Sequence, residues 1–578
     1  MISNLFLRFT AASLLSTLVL IAGQNAWAEA PRVPRPNAGT LMQESLPPPV
    51  EPALPSVTLP STPEEASAGE QEGARIKVAR FVIEGAVLLP TEQLEAQLSD
   101  LVGQELNLAG LRKAAARITA TYRERGYFLA RAYLPAQKIA DGVVHIAILE
   151  GRYDRVEATG SPRLDQQHVE ATLETHDIVA GRPIERADLE RSLILMEQKA
   201  GAPAQALLQP GATMGTSHMV IEAPSGPLFS GYLGADNYGN RYSGEERATA
   251  SFNLNSPRGV GDRASLWLMG SSGSNAIFAS YQTPVGYDGL TLGVSASRFN
   301  YTLCCEFNRL DEEGDATVYG IQARYPLLLS TSSVMYSGLS FERKHLHDDS
   351  KAGEIDDKNA NVFSFSLDGI NGALGGQNRY RAILSAGNLD VSDNRGYAAL
   401  DKATVDTDGN YLKMRGEFGH LHPLMKGHAL DIRLSGQMSN RNLDSSEEFM
   451  LGGSTGVRAY PEGEAIGDEG LLLHMDWLIP VTLGSLPGTT SARLFMDAGT
   501  IWVNEDTRGG RADIPGIPNN YALAGAGFGL SWSYPKGFTA TLDVATKIGS
   551  NPGASANGDD ADGKDSRTRA WIGAEWAF

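Results

Sequence analysis

Cysteine is nearly absent from this chain of 578 residues, which holds only Cys304 and Cys305. Adjacent cysteines do not supply the spaced thiolates of a zinc site. A bond between them is strained, because a trans peptide holds their Cα atoms closer together than most disulfides do. We therefore expect no metal site, and either two loop thiols or a strained local disulfide without a catalytic role.

Positive charge is also scarce. The chain has 49 Lys and Arg residues against 68 Asp and Glu residues, a formal net charge of −19. This balance argues against nucleic acid as a partner. The sequence also lacks the Gly-x-x-x-x-Gly-Lys-Ser/Thr motif of a phosphate-binding loop,. We expect no nucleic acid, no nucleotide and no cofactor.

Long apolar runs are missing after the N-terminus, where no stretch of about 18 apolar residues occurs. Residues 1–28 have the features of a secretory signal peptide. Arg8 precedes an apolar core at 11–23, and residues 26–28 fit the small-x-small cleavage site. An N-terminal anchor helix is the alternative, although the apolar core is short for it. The exported chain is then either a soluble protein outside the cytoplasm or a β-barrel.

Residues 29–75 are rich in proline, which is typical of an extended linker rather than a packed domain. An island at 37–45 lacks proline, and Asn37 is suited to cap a helix of two or three turns,. A helix this short is marginal in water. It either packs against another part of the protein or is not a helix.

Two α+β modules are predicted next, at 76–152 and 153–224. Each has the order strand, helix, helix, strand, strand by side-chain spacing and β-branched content. Tandem modules of this order resemble POTRA domains, which lie in the periplasm and bind polypeptide chains. A pair of α+β domains without a binding role is the alternative. The predicted elements are 77–84, 90–98, 108–124, 128–134 and 143–149, then 153–159, 164–173, 186–199, 204–208 and 217–222.

Residues 228–578 contain no helical pattern of useful length. They carry sixteen segments of alternating apolar and polar residues, joined by short and long links in turn. A soluble sandwich also buries an apolar face, but so many strands in series, ending on Phe578, favour a transmembrane barrel. The predicted fold class is therefore α+β periplasmic modules (two POTRA domains) followed by a 16-stranded antiparallel transmembrane β-barrel.

Two motifs within this region carry the most specific resemblance. Residues 451–461 are rich in glycine and include Val457-Arg458-Ala459-Tyr460, which looks like the VRGF/VRGY signature of the Omp85 superfamily. Phe495-x-Asp497-x-Gly499 looks like its partner motif on a barrel strand. With the signal peptide, linker and two modules, the chain resembles the outer-membrane transporters of two-partner secretion, the haemolysin and filamentous-haemagglutinin secretion proteins. Ala459 departs from the glycine that many members have.

The resemblance implies a lock between a loop and the barrel. Loop 441–470 would fold back into the lumen, where Arg458 would pair with Asp497. The alternation of side chains along the strand supports the expectation that Asp497 faces the lumen, because Phe495, Asp497 and Gly499 share one face with Arg493,. A lumenal arginine and a lumenal aspartate can form a bidentate, charge-assisted pair.

The resemblance also implies a function in the outer membrane. We expect the POTRA modules to capture an unfolded exported partner, a large adhesin or haemolysin, which then crosses the lumen to the cell surface. An extended chain can add to an exposed sheet edge. The short helix at 37–45 would plug the lumen at rest. The residues expected on the binding edges are Phe128, Ala130, Ala132, Leu134, Ala204, Ala206 and Leu208.

Three other functions compete with secretion. A barrel assembly factor would usually carry more POTRA modules and no proline-rich plug segment. A barrel enzyme needs a serine, a histidine and an acid within mutual reach, and the histidines of the barrel show no recognisable active-site motif. A simple solute porin would not need residues 76–222. We expect outer-membrane lipid around the barrel and no enzymatic activity.

Overall fold

The computed structural model describes residues 35–47, 52–60, 75–161, 163–482, 484, 487–507 and 518–578. The predicted signal peptide lies outside the described residues, as do residues 29–34, 48–51 and 61–74 of the predicted linker. Among the described residues, no helix is both long enough and apolar enough to cross a membrane.

The first described element is a short helix, α1 (Ala38–Ser45). Asn37 caps it: the Asn37 side chain accepts from the Thr40 backbone N–H, and the Thr40 hydroxyl lies 3.2 Å from the Asn37 N–H. Such a capping box satisfies two backbone donors that the first helical turn leaves free. This local pattern explains why eight residues between prolines form a helix.

The first module packs two helices against a three-stranded sheet in the order β2-β5-β4. Its longer helix presents Leu111, Ala115, Ile118 and Tyr122 to the sheet, which is the stripe expected from helical spacing,. The elements are β1 (Ile76–Lys77), β2 (Arg80–Glu84), α2 (Thr91–Ala96), β3 (Glu105–Leu106), α3 (Leu108–Glu124), β4 (Arg131–Tyr133) and β5 (Val143–Leu149).

The second module repeats this plan with the sheet order β6-β8-β7. The strands β6 and β8 are parallel, and β7 pairs antiparallel with β8 at the edge. Leu189, Leu193 and Met196 face the core, as their spacing predicts. The elements are β6 (Arg152–Thr159), α4 (Gln166–Thr175), α5 (Arg186–Ala200), β7 (Gln205–Pro210) and β8 (Thr216–Glu222).

The remainder of the chain closes into an antiparallel barrel of sixteen strands in which β26 pairs with β9, so the predicted fold class is confirmed. Two short strands, β20 and β21, and one helix, α6, lie in loops instead. The elements are β9 (Phe229–Asp236), β10 (Arg247–Asn255), β11 (Arg263–Gly270), β12 (Ser274–Pro284), β13 (Thr291–Thr302), β14 (Glu313–Leu329), β15 (Ser333–Ser350), β16 (Gly353–Ala373), β17 (Gly376–Asp390), α6 (Arg395–Ala403), β18 (Gly409–Pro423), β19 (Ala429–Ser439), β20 (Phe449–Met450), β21 (Ile466–Gly467), β22 (Glu469–Val481), β23 (Thr489–Trp502), β24 (Asn520–Tyr534), β25 (Phe538–Lys547) and β26 (Thr568–Ala577).

Alternation along the strands sorts apolar residues to the outside of the barrel. In β18, Leu412, Met414 and Phe418 are each 45–49% exposed, although they are large and apolar. Charged neighbours such as Lys413 point inward, where Lys413 meets the lumenal acid Glu447. An outer apolar band with a polar lumen is the arrangement that a bilayer demands of a barrel.

The second module is attached to one end of the barrel. Arg191 on α5 donates through Nε to Asp288 in the turn after β12, at 2.9 Å. His176 also contacts Asp288, with Nε2 at 3.1 Å from Oδ1. On the next turn, after β14, Glu190 accepts from Thr331. These contacts mark the barrel end that faces the two modules.

Several local predictions were wrong in detail. The strand expected at 128–134 is confined to Arg131–Tyr133, and Phe128 precedes it. The helix expected at 164–173 begins at Gln166, because Asp165 takes the cap position. The helix α6 lies in a stretch predicted to be without helices, where Asn394 caps it by accepting from two backbone N–H groups. Cys304 and Cys305 are joined to each other as a disulfide, which is one of the two alternatives that the sequence left open.

Candidate functional site: a loop and a helix inside the barrel

The lumenal loop, residues 440–468 between β19 and β22, turns back into the barrel. Its short strands β20 and β21 pair with each other and hold the two sides of the loop together. The tip is fully enclosed: Leu451, Val457, Ala459 and Tyr460 are buried and pack against lumen-facing residues such as Phe495. The loop is therefore a packed part of the barrel interior in this structure.

Charged contacts fix the base of the same loop to the barrel wall. Glu447 accepts from Lys344 at 2.7 Å and lies at ion-pair distance from Lys413. Asp444 lies 3.0 Å from the ammonium group of Lys358. All five groups are largely enclosed, so each lysine replaces water as the partner of a carboxylate that would otherwise be costly to bury.

The structure brings Arg458 at the loop tip against Asp497 on β23. Nε of Arg458 donates to Oδ2 of Asp497 at 2.8 Å, and Nη2 donates to Oδ1 at 2.6 Å. The backbone N–H of Arg458 adds a third bond to Oδ2, at 3.1 Å. Arg458 is 4% exposed and Asp497 is 0% exposed. Two parallel bonds from one guanidinium make this a rigid, directional contact.

Three further residues complete the site, and the sequence reasoning missed them. Asp476 on β22 accepts from Nη2 of Arg458 at 3.0 Å, and His474 lies 2.8 Å from Asp497 through Nδ1. Trp571 on β26 donates its indole N–H to the carbonyl oxygen of Arg458 at 2.8 Å. The sequence does contain a signal for two of these residues. His474 and Asp476 are alternate polar positions in a strand that is otherwise apolar, so both are predicted to face the lumen,.

The rest of the predicted strand motif supports the loop by shape. The Phe495 ring lies under the Arg458 guanidinium, with Cζ 3.6 Å from the ring centroid, a cation–π arrangement,. A Cβ atom at Gly499 would collide with the side chain of Leu451 and the carbonyl oxygen of Leu471. Only glycine therefore leaves room for the loop at this point of the wall.

Ala459, the residue that departs from the family signature, has a matching space on the wall. A Cβ atom placed on Gly525 of β24 would lie 2.5 Å from the Cβ of Ala459. Real Cβ atoms do not approach this closely, so the extra methyl group of Ala459 is accommodated by the missing one of Gly525. Val457 and Tyr460 beside it are fully buried.

The helix α1 also lies inside the barrel, between the wall and the lumenal loop. Its first N–H, from Ala38, donates to Asp348 on β15 at 2.8 Å. On the loop side, Gln43 donates to the carbonyl oxygen of Ser445 at 2.6 Å, and Ser445 donates to Asn37 at 2.8 Å. The negative carboxylate at the positive end of the helix is electrostatically favourable.

Gly39 permits the closest approach between α1 and the loop. A Cβ atom there would collide with the hydroxyl of Ser445 and lie 2.7 Å from the backbone nitrogen of Ser446. On its other side, α1 inserts Leu41 and Met42 into an apolar cluster with barrel residues, including Tyr301. The helix is thus held by the wall and by the loop together.

An acidic pair lies where the end of α1 meets the loop. Burial, followed by the nearby Glu462 carboxylate, raises the pKa of Glu44 to about 8, although Asn240 and Arg247 offset part of the effect. Burial also raises the pKa of Glu462. The guanidinium of Arg247 is shared, since Nε pairs with Asp236 at 2.8 Å and Nη1 donates to the Glu44 carbonyl oxygen at 3.1 Å. Neutral Glu44 suits this position better than its ionised form.

The predicted binding edge of the first module differs from the expectation. Phe128 is buried in the core of the second module, where the Arg186 guanidinium stacks on its ring. Ala130 and Ala132 are buried within the first module, and Leu134 is partly buried against it. The residues therefore do not offer side chains to a partner, but β4 lies at the outer edge of its sheet, so its backbone remains a candidate.

The predicted edge of the second module carries a segment of the chain's own linker. Thr58 donates its N–H to the carbonyl oxygen of Ala204 and accepts from the N–H of Ala206, both at 3.2 Å. The pairing between Thr58 and Gln205 is parallel. Ala204 and Ala206 are buried, and Leu208 packs on the core with the linker residues Val57 and Leu59.

A closed barrel of sixteen strands that follows two modules of the POTRA type defines an outer-membrane transporter. The chain belongs to the haemolysin secretion/activation protein ShlB/FhaC/HecB family, because the sequence model of that family matches residues 215–532. The profile of the ShlB-type POTRA domain matches residues 76–151. The protein is therefore an outer-membrane transporter of two-partner secretion, as the sequence motifs indicated.

Individual relatives agree with this assignment. The heme/hemopexin transporter protein HuxB of Haemophilus influenzae is 27% identical over 469 residues, covering 80% of this chain and 81% of that protein. The outer membrane transporter CdiB of Escherichia coli is 24% identical over 508 residues, covering 85% and 82%. The solved structure of CdiB from Escherichia coli has the same fold, with a TM-score of 0.72 at 19% identity, over 90% of this chain and 94% of that one.

Proposed function

We propose that this transporter captures its exported partner as an extended, unfolded chain on the POTRA edges and passes it through the lumen. One observation carries the proposal: a segment of the chain's own linker already pairs with the edge of β7 through a single parallel bridge at Thr58. An edge that accepts the backbone of one extended segment can accept another by the same hydrogen bonds. The partner would replace the linker there.

Passage through the lumen requires the helix α1 and the lumenal loop to give way. Both occupy the interior, and they contact each other through Gln43 and Ser445. The linker that covers β7 is the same segment that leads back towards α1. Displacement of the linker by the partner would therefore loosen the attachment of α1, which couples capture to opening.

The kind of partner follows from the relatives. Two of them are named as a heme/hemopexin transporter and a hemolysin transporter, and we propose a large adhesin or haemolysin-like protein as the cargo. Transport would need neither a nucleotide nor a nucleic acid. Folding of the cargo outside the cell would make transport run in the outward direction. The apolar outer face of the barrel meets outer-membrane lipid.

An enzymatic role is not part of the proposal. His474, the barrel histidine closest to a family motif, is held at 2.8 Å from Asp497 inside the lock. Its partner Asp497 is in turn bound by two nitrogens of the Arg458 guanidinium. This arrangement uses the imidazole to hold a carboxylate in place, and the contact made by His474 among the described residues is with that carboxylate rather than with a hydroxyl or thiol nucleophile,.

A photo-crosslinking experiment in cells tests the capture step. A photoreactive amino acid replaces Leu207, which is exposed on β7, or Val87, which is exposed on the first module and belongs to neither β4 nor β7. The exported protein encoded beside the gene of this chain is the probe. We expect crosslinks at position 207 and none at position 87. Equal crosslinks at both positions, or surface delivery of the probe without any crosslink at 207, would contradict capture on β7.

A further inference from the structure

A cluster of histidine and acidic side chains lies on the outside of the β15–β16 hairpin, away from the lumen. His347 on β15 stands directly opposite Asp357 on β16. The residues beside them along the two strands, Leu346 and Lys358, are buried and face inward. Because side chains alternate along a strand, His347 and Asp357 face the exterior of the barrel. They share that face with the exposed Phe341.

The cluster lies beyond the part of the hairpin that faces lipid. Phe341 is apolar and exposed, as expected next to acyl chains. His347 follows six residues later, about 20 Å further along the strand in the direction away from the two modules. At that height the barrel surface is polar. The site is therefore reached from outside the cell.

The spacing of the groups suits a shared cation better than direct hydrogen bonds. Nδ1 of His345 lies 3.5 Å from Oδ1 of Asp357, and Nδ1 of His347 lies 4.0 Å from Oδ2. Both distances exceed the 2.7–3.2 Å of an ordinary hydrogen bond. Two ligands of one tetrahedral Zn²⁺, each at about 2.0–2.2 Å from the ion, lie about 3.4 Å apart.

A third protein ligand completes the set. Ligand atoms of His347, Glu354 and Asp357 all lie within 4.8 Å of one another. Oδ1 of Asp357 is inaccessible to solvent and has no hydrogen-bond partner in the part of the chain that the structure describes. A carboxylate oxygen that is shielded from water and accepts no hydrogen bond is costly. A metal ion would satisfy it.

The outer part of the site is held by a second group of contacts. Asn394 donates from Nδ2 to Oε1 of Glu354 at 2.8 Å. Its own Oδ1 caps α6 by accepting from the backbone of Gly396 and Tyr397, each at 3.0 Å. An outer amide that orients a ligating carboxylate is a common feature of metal sites. It also connects the cluster to the loop that contains α6.

We propose that His347, Glu354 and Asp357 bind one divalent transition-metal ion on the outer surface of the barrel. Imidazole and carboxylate ligands together suit Zn²⁺, Co²⁺ or Ni²⁺, whereas Ca²⁺ and Mg²⁺ prefer oxygen alone. The bound ion joins the turn of the β15–β16 hairpin to the cap of α6 and so fixes two outer loops relative to each other. The sequence pattern alone does not indicate this site, because the ligands come together only across two strands.

The test uses the full-length protein, purified in detergent without a histidine tag. Zn²⁺ binding is measured by calorimetry, and Co²⁺ binding by its visible absorption. We expect one ion per chain, with affinity reduced at least about tenfold in His347→Ala and in the isosteric Asp357→Asn. His145→Ala is the matched control, because His145 pairs with a single carboxylate, Glu84, at 2.7 Å. It should bind as the unmodified protein does.

Hydrogen exchange gives a second readout that does not depend on affinity alone. Saturating Zn²⁺ should slow amide exchange in residues 345–357 and 394–403 of the unmodified protein. In Asp357→Asn, Zn²⁺ should leave the exchange rates of these residues unchanged. Failure of the unmodified protein to bind Zn²⁺ or Co²⁺ would overturn the proposal. Equal binding by the unmodified protein and Asp357→Asn would overturn it as well, since the ion would then lie elsewhere.

Discussion

Arg458 and Asp497 meet inside the barrel with both carboxylate oxygens bound by one guanidinium. One residue belongs to a loop that could lie outside, and the other belongs to the wall. Their contact therefore decides where the loop lies. Asp476 and His474 surround the pair and leave neither charge without a partner.

Removal of the arginine should release the loop. In Arg458→Ala, Asp497 and Asp476 lose their shared cation in an enclosed site, a loss that costs about 3–5 kcal/mol. We expect faster proteolysis of residues 451–461 in membranes and reduced delivery of cargo to the surface. Arg298→Ala is the control, because Arg298 is exposed and its ion pair with Asp315 is long, at 3.8 Å. This variant should behave as the unmodified protein does. A protected loop in Arg458→Ala would remove the role assigned to the pair.

The fit between Ala459 and Gly525 predicts a rescue. In Gly525→Ala, the new Cβ would lie 2.5 Å from that of Ala459, so the loop tip has to move and the lock weakens. Ala459→Gly in the same chain restores the space. We expect reduced surface delivery in the single variant and recovery in the double variant. The two changes acting additively, with no recovery, would show that these positions do not meet.

The contact between Gly39 and Ser445 predicts a leaky barrel when it is blocked. A side chain at position 39 collides with the loop, so Gly39→Leu should keep α1 out of its place. Ion conductance in planar bilayers should rise well above that of the unmodified protein. Gly416→Ala is the matched control, because a Cβ at Gly416 meets nothing within 4 Å. Unchanged conductance of Gly39→Leu would mean that α1 does not block the lumen.

The acidic pair of α1 and the loop predicts a pH dependence of the same conductance. The pKa of Glu44 is about 8 with α1 in place, and about 4.3 once it is free in water. Between these two pH values, Glu44 is protonated when α1 is in the lumen and ionised when α1 is free. The binding of α1 in the lumen is therefore strongest at low pH and weakens as the pH rises towards 8. Conductance should rise over this range and level off above it.

Glu44→Gln supplies the control for that titration. The amide keeps the shape of the neutral acid and cannot ionise next to Glu462, so conductance should stay low at every pH. Asp236 and Arg247 remain unchanged in this variant. A pH dependence that persists in Glu44→Gln would assign the effect to another group.

The barrel and the face of Asp497 could be predicted from the sequence because both follow from local alternation. Period-two patterns determine which side chains face the lumen wherever one face must be apolar. The identity of the neighbours could not be predicted in the same way. His474 lies opposite Asp497 because of the pairing register of β22 and β23. The sequence of one strand alone does not determine its register with the next strand.

Errors elsewhere have similar causes. Phe128 begins an apolar stretch that is predicted to be a strand, but it is buried in the neighbouring module. A sequence pattern cannot tell which core an aromatic residue enters. The edge at Ala204 was expected to be open. Its occupation by Thr58 depends on a contact between segments far apart in the chain. The helix α6 has nine residues, too short for its spacing to stand out from the loop around it.

Transport of an unfolded partner through the lumen should require no protein other than this one. The direct measurement uses purified full-length protein in lipid vesicles, with the unfolded partner added outside and no nucleotide present. We predict that part of the partner becomes protected from added protease, and that Arg458→Ala reduces this fraction at equal insertion. No protected partner with correctly inserted protein, or protection only after an energy source is added, would contradict the account.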